Sequence, residues 1–327
     1  YVNLPIGALS FLFSFLALKE HREEQPGRFD PPGFILSGLG LAGILYALSR
    51  GPDVGWTNVT ILVTGIGGVI SFVMLIVVEN RHPMPLLDLT LFQGRTFRTA
   101  SLLALTMFSA QLGTLFLLPL FLQDLRGLSA LDSGLVTFWQ PLASIAMVQV
   151  TSRMYSRIGP RLNLIISTLG VACTSALFLL VDLQTDIWWL RGIMFLRGIF
   201  FAFNMVSVQT TVFSGVTRDK IGRASSLWST LRQVAAALGV AVLGTVLISR
   251  THALTPPGAG ASAAQQASLL AFHDAFAAAT VLALIALLFA LQIRDREVLA
   301  GWQPAAGSGV EGLGSSRQDH EVALARP

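Results

Sequence analysis

The chain has 327 residues, of which 53% are hydrophobic and only 12% are charged, whereas soluble domains carry about 25% charged residues. This composition excludes an ordinary soluble domain and indicates a membrane protein. The net charge is only +4 and there is one cysteine, so the sequence gives no indication of nucleic-acid binding, an intrachain disulfide or a multi-cysteine metal site.

Apolar windows long enough to cross about 30 Å of hydrocarbon recur along the chain. Stretches rich in charge, proline or glycine separate them. The chain begins with YVNLPIG rather than with Met, so we expect the C-terminal part of a longer protein, and the polar residues 294–327 are expected to form a disordered tail. The sequence predicts nine transmembrane helices, at 2–18, 34–48, 59–78, 97–122, 134–150, 162–181, 187–213, 227–248 and 272–293.

The Lys and Arg residues between these windows indicate how the helices are oriented. Sixteen of them fall on one side of the predicted membrane and three on the other, and cytoplasmic loops hold the excess of positive charge. The chain is therefore predicted to start outside the cell membrane and to end in the cytoplasm. The three that remain lie within spans: Arg191, Arg197 and Arg232.

Five stretches together resemble a known family of membrane proteins. They are YVNLPIG, FDPPGFILSGLGLAGILYALSRGPDVGW, ENRHPMPLLDLTLFQGRTF, LPLFLQDLRGLSALDSGL and GRASSLWSTLRQVAAALGVAVLGTVL. In this order they are similar to the fourteen-span drug:proton antiporter branch of the major facilitator superfamily. By that resemblance, the nine spans correspond to spans six to fourteen.

The resemblance implies an all-α polytopic membrane protein with a partial major facilitator fold. Residues 1–18 would be the last helix of the N-terminal bundle, and 19–96 a cytoplasmic loop, two extra linker helices and a connection. Residues 97–293 would form the complete C-terminal six-helix bundle, with an inverted repeat of three plus three spans, before the cytoplasmic tail at 294–327.

The loop SRMYSRIGPR resembles the gating loop of the family at Arg157, Gly159 and Arg161. It departs from that pattern at Ser156, where the family has Asp. A charged lock within this loop is therefore not expected.

Polar residues inside the spans are the candidate site residues. Arg197, Asn204 and Thr211 are seven apart and form one stripe on a helix. Such a stripe either lines a translocation cavity or forms hydrogen bonds at a helix crossing, and the sequence leaves both alternatives open. Arg232, next to Gln233, is interpreted as a packing anchor near the cytoplasmic gate.

Three glutamines and several aromatic residues complete the predicted substrate cavity, since small-molecule sites are apolar pockets with a few polar groups. The residues assigned to the cavity are Arg197, Asn204, Gln111, Gln140, Gln209 and Trp139, with Phe108 and Trp228 as further aromatic candidates. No pattern of His residues indicates a metal site.

The resemblance implies a secondary transporter that exports amphipathic, often cationic, drug-like molecules by alternating access. A proton gradient would supply the energy without a cofactor, and the partners would be the small-molecule substrate, protons and the lipid bilayer. No Asp or Glu lies deep in the nine spans, so the proton-coupling acids are expected upstream. A specific metabolite exporter or uptake porter of the same superfamily is the alternative, whereas the loops carry no catalytic constellation that would indicate an enzyme.

Overall fold

The structure is a computed structural model and describes residues 3–17, 31–79, 89–217, 220–255, 260–296 and 298, which contain helices and turns but no strand. Short 3₁₀ turns occur at Leu89–Gln93 and Phe178–Leu180, and a π-helical turn at Phe121–Leu125 prolongs the fourth helix. Of the predicted tail at 294–327, residues 297 and 299–327 lie outside the described residues. The helices are α1 (Asn3–Ala17), α2 (Pro31–Val54), α3 (Val59–Glu79), α4 (Arg95–Leu120), α5 (Ala130–Thr137), α6 (Trp139–Ile158), α7 (Pro160–Leu177), α8 (Ile187–Ser214), α9 (Ile221–Leu254) and α10 (Ala261–Gln292).

Seven of the helices in the described part are long and apolar enough to cross a membrane, namely α2, α3, α4, α7, α8, α9 and α10. The multi-pass character predicted from composition is thereby confirmed. A helix is also present in each of the other two predicted spans, although α1 has only 15 residues and α6 is more polar than the seven. The total of nine spans stays a prediction.

The predicted span at 134–150 is interrupted at Phe138, between α5 and α6. Pro141 explains the break, because proline lacks the N–H that would bond to the carbonyl of Thr137. Pro141 instead occupies the first turn of α6, where backbone N–H groups have no partner within the helix. Ser129 begins α5 with a side-chain cap on the N–H of Asp132.

The helices from α4 to α10 form a bundle in which α4 and α8 are neighbours at the centre. Helix α9 packs against α4, and α6 packs against α8. Helix α10 also packs against α4 and α7 against α8, and α7 and α10 contact each other. If α4, α6 and α7 are exchanged for α8, α9 and α10, respectively, the same pairs of helices are in contact. The packing therefore has the two-fold pattern expected of two inverted three-helix repeats.

Glycines allow the closest helix crossings in this bundle. At Gly239 of α9, a Cβ atom would lie 2.2 Å from the carbonyl oxygen of Ser109 on α4. At Gly198 of α8, a Cβ atom would lie 2.3 Å from the carbonyl oxygen of Gln140 on α6. Both crossings therefore require a residue without a side chain.

Helices α2 and α3 form a hairpin that packs on the outer surface of α9. Helices α2 and α3 approach each other closely where Gly43 faces Gly68. Trp56, after α2, donates its indole N–H to the hydroxyl of Thr245 on α9 at 3.0 Å. Every α1 side chain that the structure describes is exposed, so none of these side chains belongs to the core of the bundle.

Candidate functional site

The predicted polar stripe on α8 faces the neighbouring helix α7. Arg197 is 0% exposed, and its Nη1 donates to Ser175 Oγ at 2.6 Å. Asn204 is 1% exposed, and its Nδ2 donates to Thr168 Oγ1 at 2.9 Å. Buried polar groups are hydrogen-bonded in this way when two helices share a polar contact. We call these four residues the α7–α8 seam.

The geometry of the seam favours hydrogen bonding at a helix crossing, which is the second of the two alternatives for this stripe. Helix α7 packs against α8 and also contacts α10. Arg197 makes no ion pair with a described carboxylate, and its Nη2 has no partner among the described residues. A lining role for Arg197 in the translocation cavity stays a prediction.

Two of the three predicted cavity glutamines are inside the bundle, and the third is on its surface. Gln111 is 2% exposed on α4, where its Oε1 has no described partner, and Gln140 is 6% exposed at the α6–α8 crossing. Gln209 of α8 is exposed. At 100° per residue, Gln209 lies about 140° around the helix from Asn204, so it points away from the seam.

Trp139 is located near the end of the bundle where α8 begins, rather than near Gln209. Its ring centroid lies 6.2 Å from that of Phe195 and 6.3 Å from that of Trp188. Arg191 lies over the Trp188 ring at 4.6 Å. Aromatic and basic side chains of this kind are typical of the membrane interface.

Aromatic side chains from three helices meet on the same side of the bundle as Gln209. Phe108 of α4 has its ring centroid 6.3 Å from that of Phe201 on α8 and 5.8 Å from that of Trp228 on α9, and Trp228 also contacts Phe213 on α8 at 6.4 Å. All three pairs are edge-to-face, the arrangement that aromatic rings prefer. These four residues are called the aromatic face below. Phe201, Met205, Gln209 and Phe213 follow each other at steps of four, a spacing that sequence analysis missed.

Arg232 of α9 lies at the aromatic face. Its Cζ is 5.3 Å from the centroid of Phe108, and the residue is exposed, as is Ser229. Gln233 is also exposed but lines a cavity between α2, α4 and α9. A cation over a ring face at this distance gains a cation–π interaction. Exposed polar groups on a membrane helix face water or other protein rather than lipid tails. We therefore expect the aromatic face to border water or other protein within the membrane.

The loop predicted to act in gating begins α7. Gly159 has φ +89°, a conformation that glycine adopts without strain. Asp295, after α10, accepts the backbone N–H of Arg161 at 2.8 Å, and the Arg161 guanidinium donates to the carbonyl of Leu291 at 3.2 Å. A carboxylate at the N-terminus of a helix is favourable. Asp295 thus places a carboxylate beside the start of α7, whereas Arg157 is exposed.

Within the described ranges, no three His, Cys, Asp or Glu side chains are arranged to hold a metal ion. The side chains that meet at the aromatic face are instead apolar rings with one guanidinium and a few neutral polar groups. Such a surface can hold an amphipathic organic molecule by ring packing and hydrogen bonds.

Two known bacterial proteins each match more than three quarters of this chain. The chain is 29% identical over 251 residues to the MFS-type transporter YhcA of Bacillus subtilis, which covers 77% of this chain and 47% of YhcA. It is 28% identical over 257 residues to the multidrug resistance protein Stp of Mycobacterium tuberculosis, covering 79% of this chain and 48% of Stp.

A third relative is matched over more of the chain. The lincomycin resistance protein LmrB of Listeria monocytogenes is 29% identical over 298 residues, which is 90% of this chain and 63% of LmrB. The chain thus spans about half to two thirds of the length of these relatives. Residues 32–240 match the Major Facilitator Superfamily, more than half of the chain, and the chain belongs to that superfamily.

Proposed function

We propose that this chain forms the C-terminal part of a secondary transporter that exports amphipathic, drug-like small molecules by alternating access. The observation that carries the proposal is that Arg232 and Gln209, two exposed polar side chains of membrane helices, lie on the side of the bundle that carries the aromatic face. In this proposal the aromatic face borders the translocation cavity, on the side where the N-terminal bundle would pack.

The names of the relatives support export. Stp is a multidrug resistance protein and LmrB a lincomycin resistance protein. Resistance by a membrane transporter fits removal of the compound from the cell. Membership in a family of transporters also supports a transport function rather than a catalytic one.

Proton coupling and the fourteen-span arrangement are further parts of the proposal. Coupling requires a group that titrates in a wet site within the membrane. The described carboxylates of the bundle lie near the helix ends, or, like Asp274, pair with a basic residue. We therefore assign the coupling acids to sequence upstream of this chain, with the proton gradient as the energy source and no cofactor.

Transport by the full-length protein, with whatever coding sequence precedes residue 1, tests the proposal. Inverted vesicles energised to acidic interior pH are expected to accumulate ethidium, and a protonophore is expected to abolish the accumulation. Phe201→Ala, which removes a ring of the aromatic face, is expected to reduce the initial rate at least threefold. Phe34→Ala on α2, where the ring is 60% exposed, is the matched control and should leave it unchanged.

Accumulation that persists in the protonophore would contradict proton coupling. Equal rates for Phe201→Ala and Phe34→Ala at equal membrane yield would contradict the assignment of the aromatic face to the cavity.

A further inference from the structure

The charge at the aromatic face is positive. Arg232 is the charged side chain there, and it makes no hydrogen bond or ion pair with any residue that the structure describes. The carboxylates described from Arg95 to Asp295 lie elsewhere: Asp124 and Asp132 in the segments that follow α4, Asp182 and Asp186 before α8, Asp274 paired with Arg250, and Asp295 beside the start of α7. Among the described residues, Arg232 thus has no carboxylate partner.

Arg232 is held at depth rather than extended towards the cytoplasm. It lies eleven residues into α9, about 16 Å along the helix axis. Its partner Phe108 is thirteen residues into α4, about 20 Å from the start of that helix, and is 3% exposed. Because the guanidinium is over this buried ring, it does not use its length to reach the membrane surface.

The contact with Phe108 leaves the hydrogen-bonding edge of the guanidinium unused. A ring face contacts the plane of the cation, whereas the five N–H donors of arginine point outward in that plane and match the two oxygens of a carboxylate. The half-buried ring of Phe201 contacts the same Phe108 ring, with centroids 6.3 Å apart. An acidic group and an aromatic ring of one ligand can thus be bound side by side.

We propose that Arg232 and the aromatic face form a subsite for amphipathic organic anions, specifically aromatic carboxylates. The carboxylate accepts hydrogen bonds from Arg232, and the ring of the ligand packs on Phe201, which contacts the same Phe108 ring as Arg232. The inference deepens the proposed function, on which it rests for the aromatic face being part of the cavity. The sequence analysis expects an often cationic substrate, whereas the subsite proposed for this bundle binds an anionic group.

Binding of three naphthalene probes of one shape tests the subsite. The full-length protein in phosphatidylcholine nanodiscs is equilibrated with 2-naphthoate, neutral 2-naphthamide or cationic 2-naphthylmethylammonium, and the bound fraction is measured by equilibrium dialysis against empty nanodiscs. Naphthoate is expected to bind at least tenfold more tightly than the cation, since a charge-assisted hydrogen bond contributes about tenfold to hundredfold in affinity. Arg232→Gln is expected to lower naphthoate affinity about tenfold and to leave naphthamide affinity unchanged.

Arg191→Gln is the matched control, because Arg191 makes a similar contact, with Trp188 at the outer end of the bundle. It should leave naphthoate affinity unchanged. Equal losses for Arg191→Gln and Arg232→Gln would overturn the proposal. If Arg232→Gln does not fold, the affinities of the wild-type protein for the three probes test the proposal. Equal affinities for the anion and the cation, or tighter binding of the cation, would overturn the proposal.

Binding and transport separate this inference from the proposed function. Arg232-dependent naphthoate binding without gradient-driven transport would contradict the proposed function and keep the subsite. Gradient-driven ethidium export together with charge-independent naphthalene binding would contradict the subsite alone.

Discussion

Replacement of Arg197 by apolar residues of different size distinguishes packing from transport in the α7–α8 seam. Arg197→Met fills most of the volume of the arginine side chain and removes the buried charge. Arg197→Ala removes the charge and leaves a void. If Arg197 is only part of the packed seam, the Met variant should fold and transport, whereas the Ala variant should lose folded protein.

The expected magnitudes follow from the contacts of Arg197. Its 0% exposed side chain donates one described hydrogen bond, to Ser175, whose own hydroxyl donates to the carbonyl of Val171 at 2.9 Å. Loss of the arginine therefore leaves no described donor without an acceptor. A buried ion replaced by a well-packed apolar residue is often neutral or stabilising by about 1–4 kcal/mol. Truncation to Ala opens a void of roughly 80 Å³, which at about 24 cal/mol per Å³ destabilises the protein by about 2 kcal/mol.

The assay measures membrane yield, melting temperature and ethidium efflux on the same preparations of the full-length protein. The wild type and Arg197→Met are expected to agree in all three, and Arg197→Ala to melt several degrees lower with efflux reduced in proportion to yield. Loss of efflux by Arg197→Met at wild-type yield and melting temperature would refute the packing argument. It would show that the charge itself serves transport.

Two further predictions concern the bundle and its orientation. Gly239→Val should lower the melting temperature, because a Cβ atom 2.2 Å from the Ser109 carbonyl forces α4 and α9 apart by about 1 Å, with a loss of stability of about 1–3 kcal/mol. Gly222→Ala in the same helix, where a Cβ atom meets nothing within 4 Å, should leave the melting temperature unchanged. Equal melting temperatures of the two variants would contradict the close crossing. Reporter fusions should read external at Gly127 and cytoplasmic at Gly222, as the distribution of basic residues predicts, and reversed results at both would contradict the predicted orientation.

Helix positions were largely predictable from apolar windows, but helix ends were not. Helix α9 extends from Ile221 to Leu254, well beyond the predicted window at 227–248. At 1.5 Å per residue its 34 residues measure about 51 Å, more than the hydrocarbon thickness. The window marks the part in lipid, whereas the helix continues until a residue stops it, and hydropathy carries no signal for that stop.

The direction of the polar stripe was the main uncertainty about the site. Spacing places Arg197 and Asn204 on one face of α8, but it does not tell which neighbour that face meets. A signal was present on α7, where Thr168 and Ser175 are also seven residues apart. In two antiparallel helices, Arg197 then meets Ser175 where Asn204 meets Thr168, as the structure shows.

The contacts of Arg232 and Asp295 could not be predicted from spacing. Phe108 is more than 120 residues before Arg232, and Asp295 is more than 130 residues after Arg161. Such pairs form only when helices distant in sequence become neighbours. Sequence analysis therefore interpreted Arg232 from its own helix alone, as a packing anchor.

Seven of the nine buried residues of α10 are alanines, at positions 267, 271, 275, 279, 283, 286 and 290, and the other two are Phe272 and Phe276. Alanine has no side-chain rotamers, so the contacts that α10 makes through its alanines have few alternative packings to adopt. In the proposed alternating-access cycle, we expect the side of the bundle that contains these alanine contacts to turn as a rigid body. Rearrangement would be confined to the opposite side, where flexible side chains such as Met205 and Arg232 are exposed or half-buried.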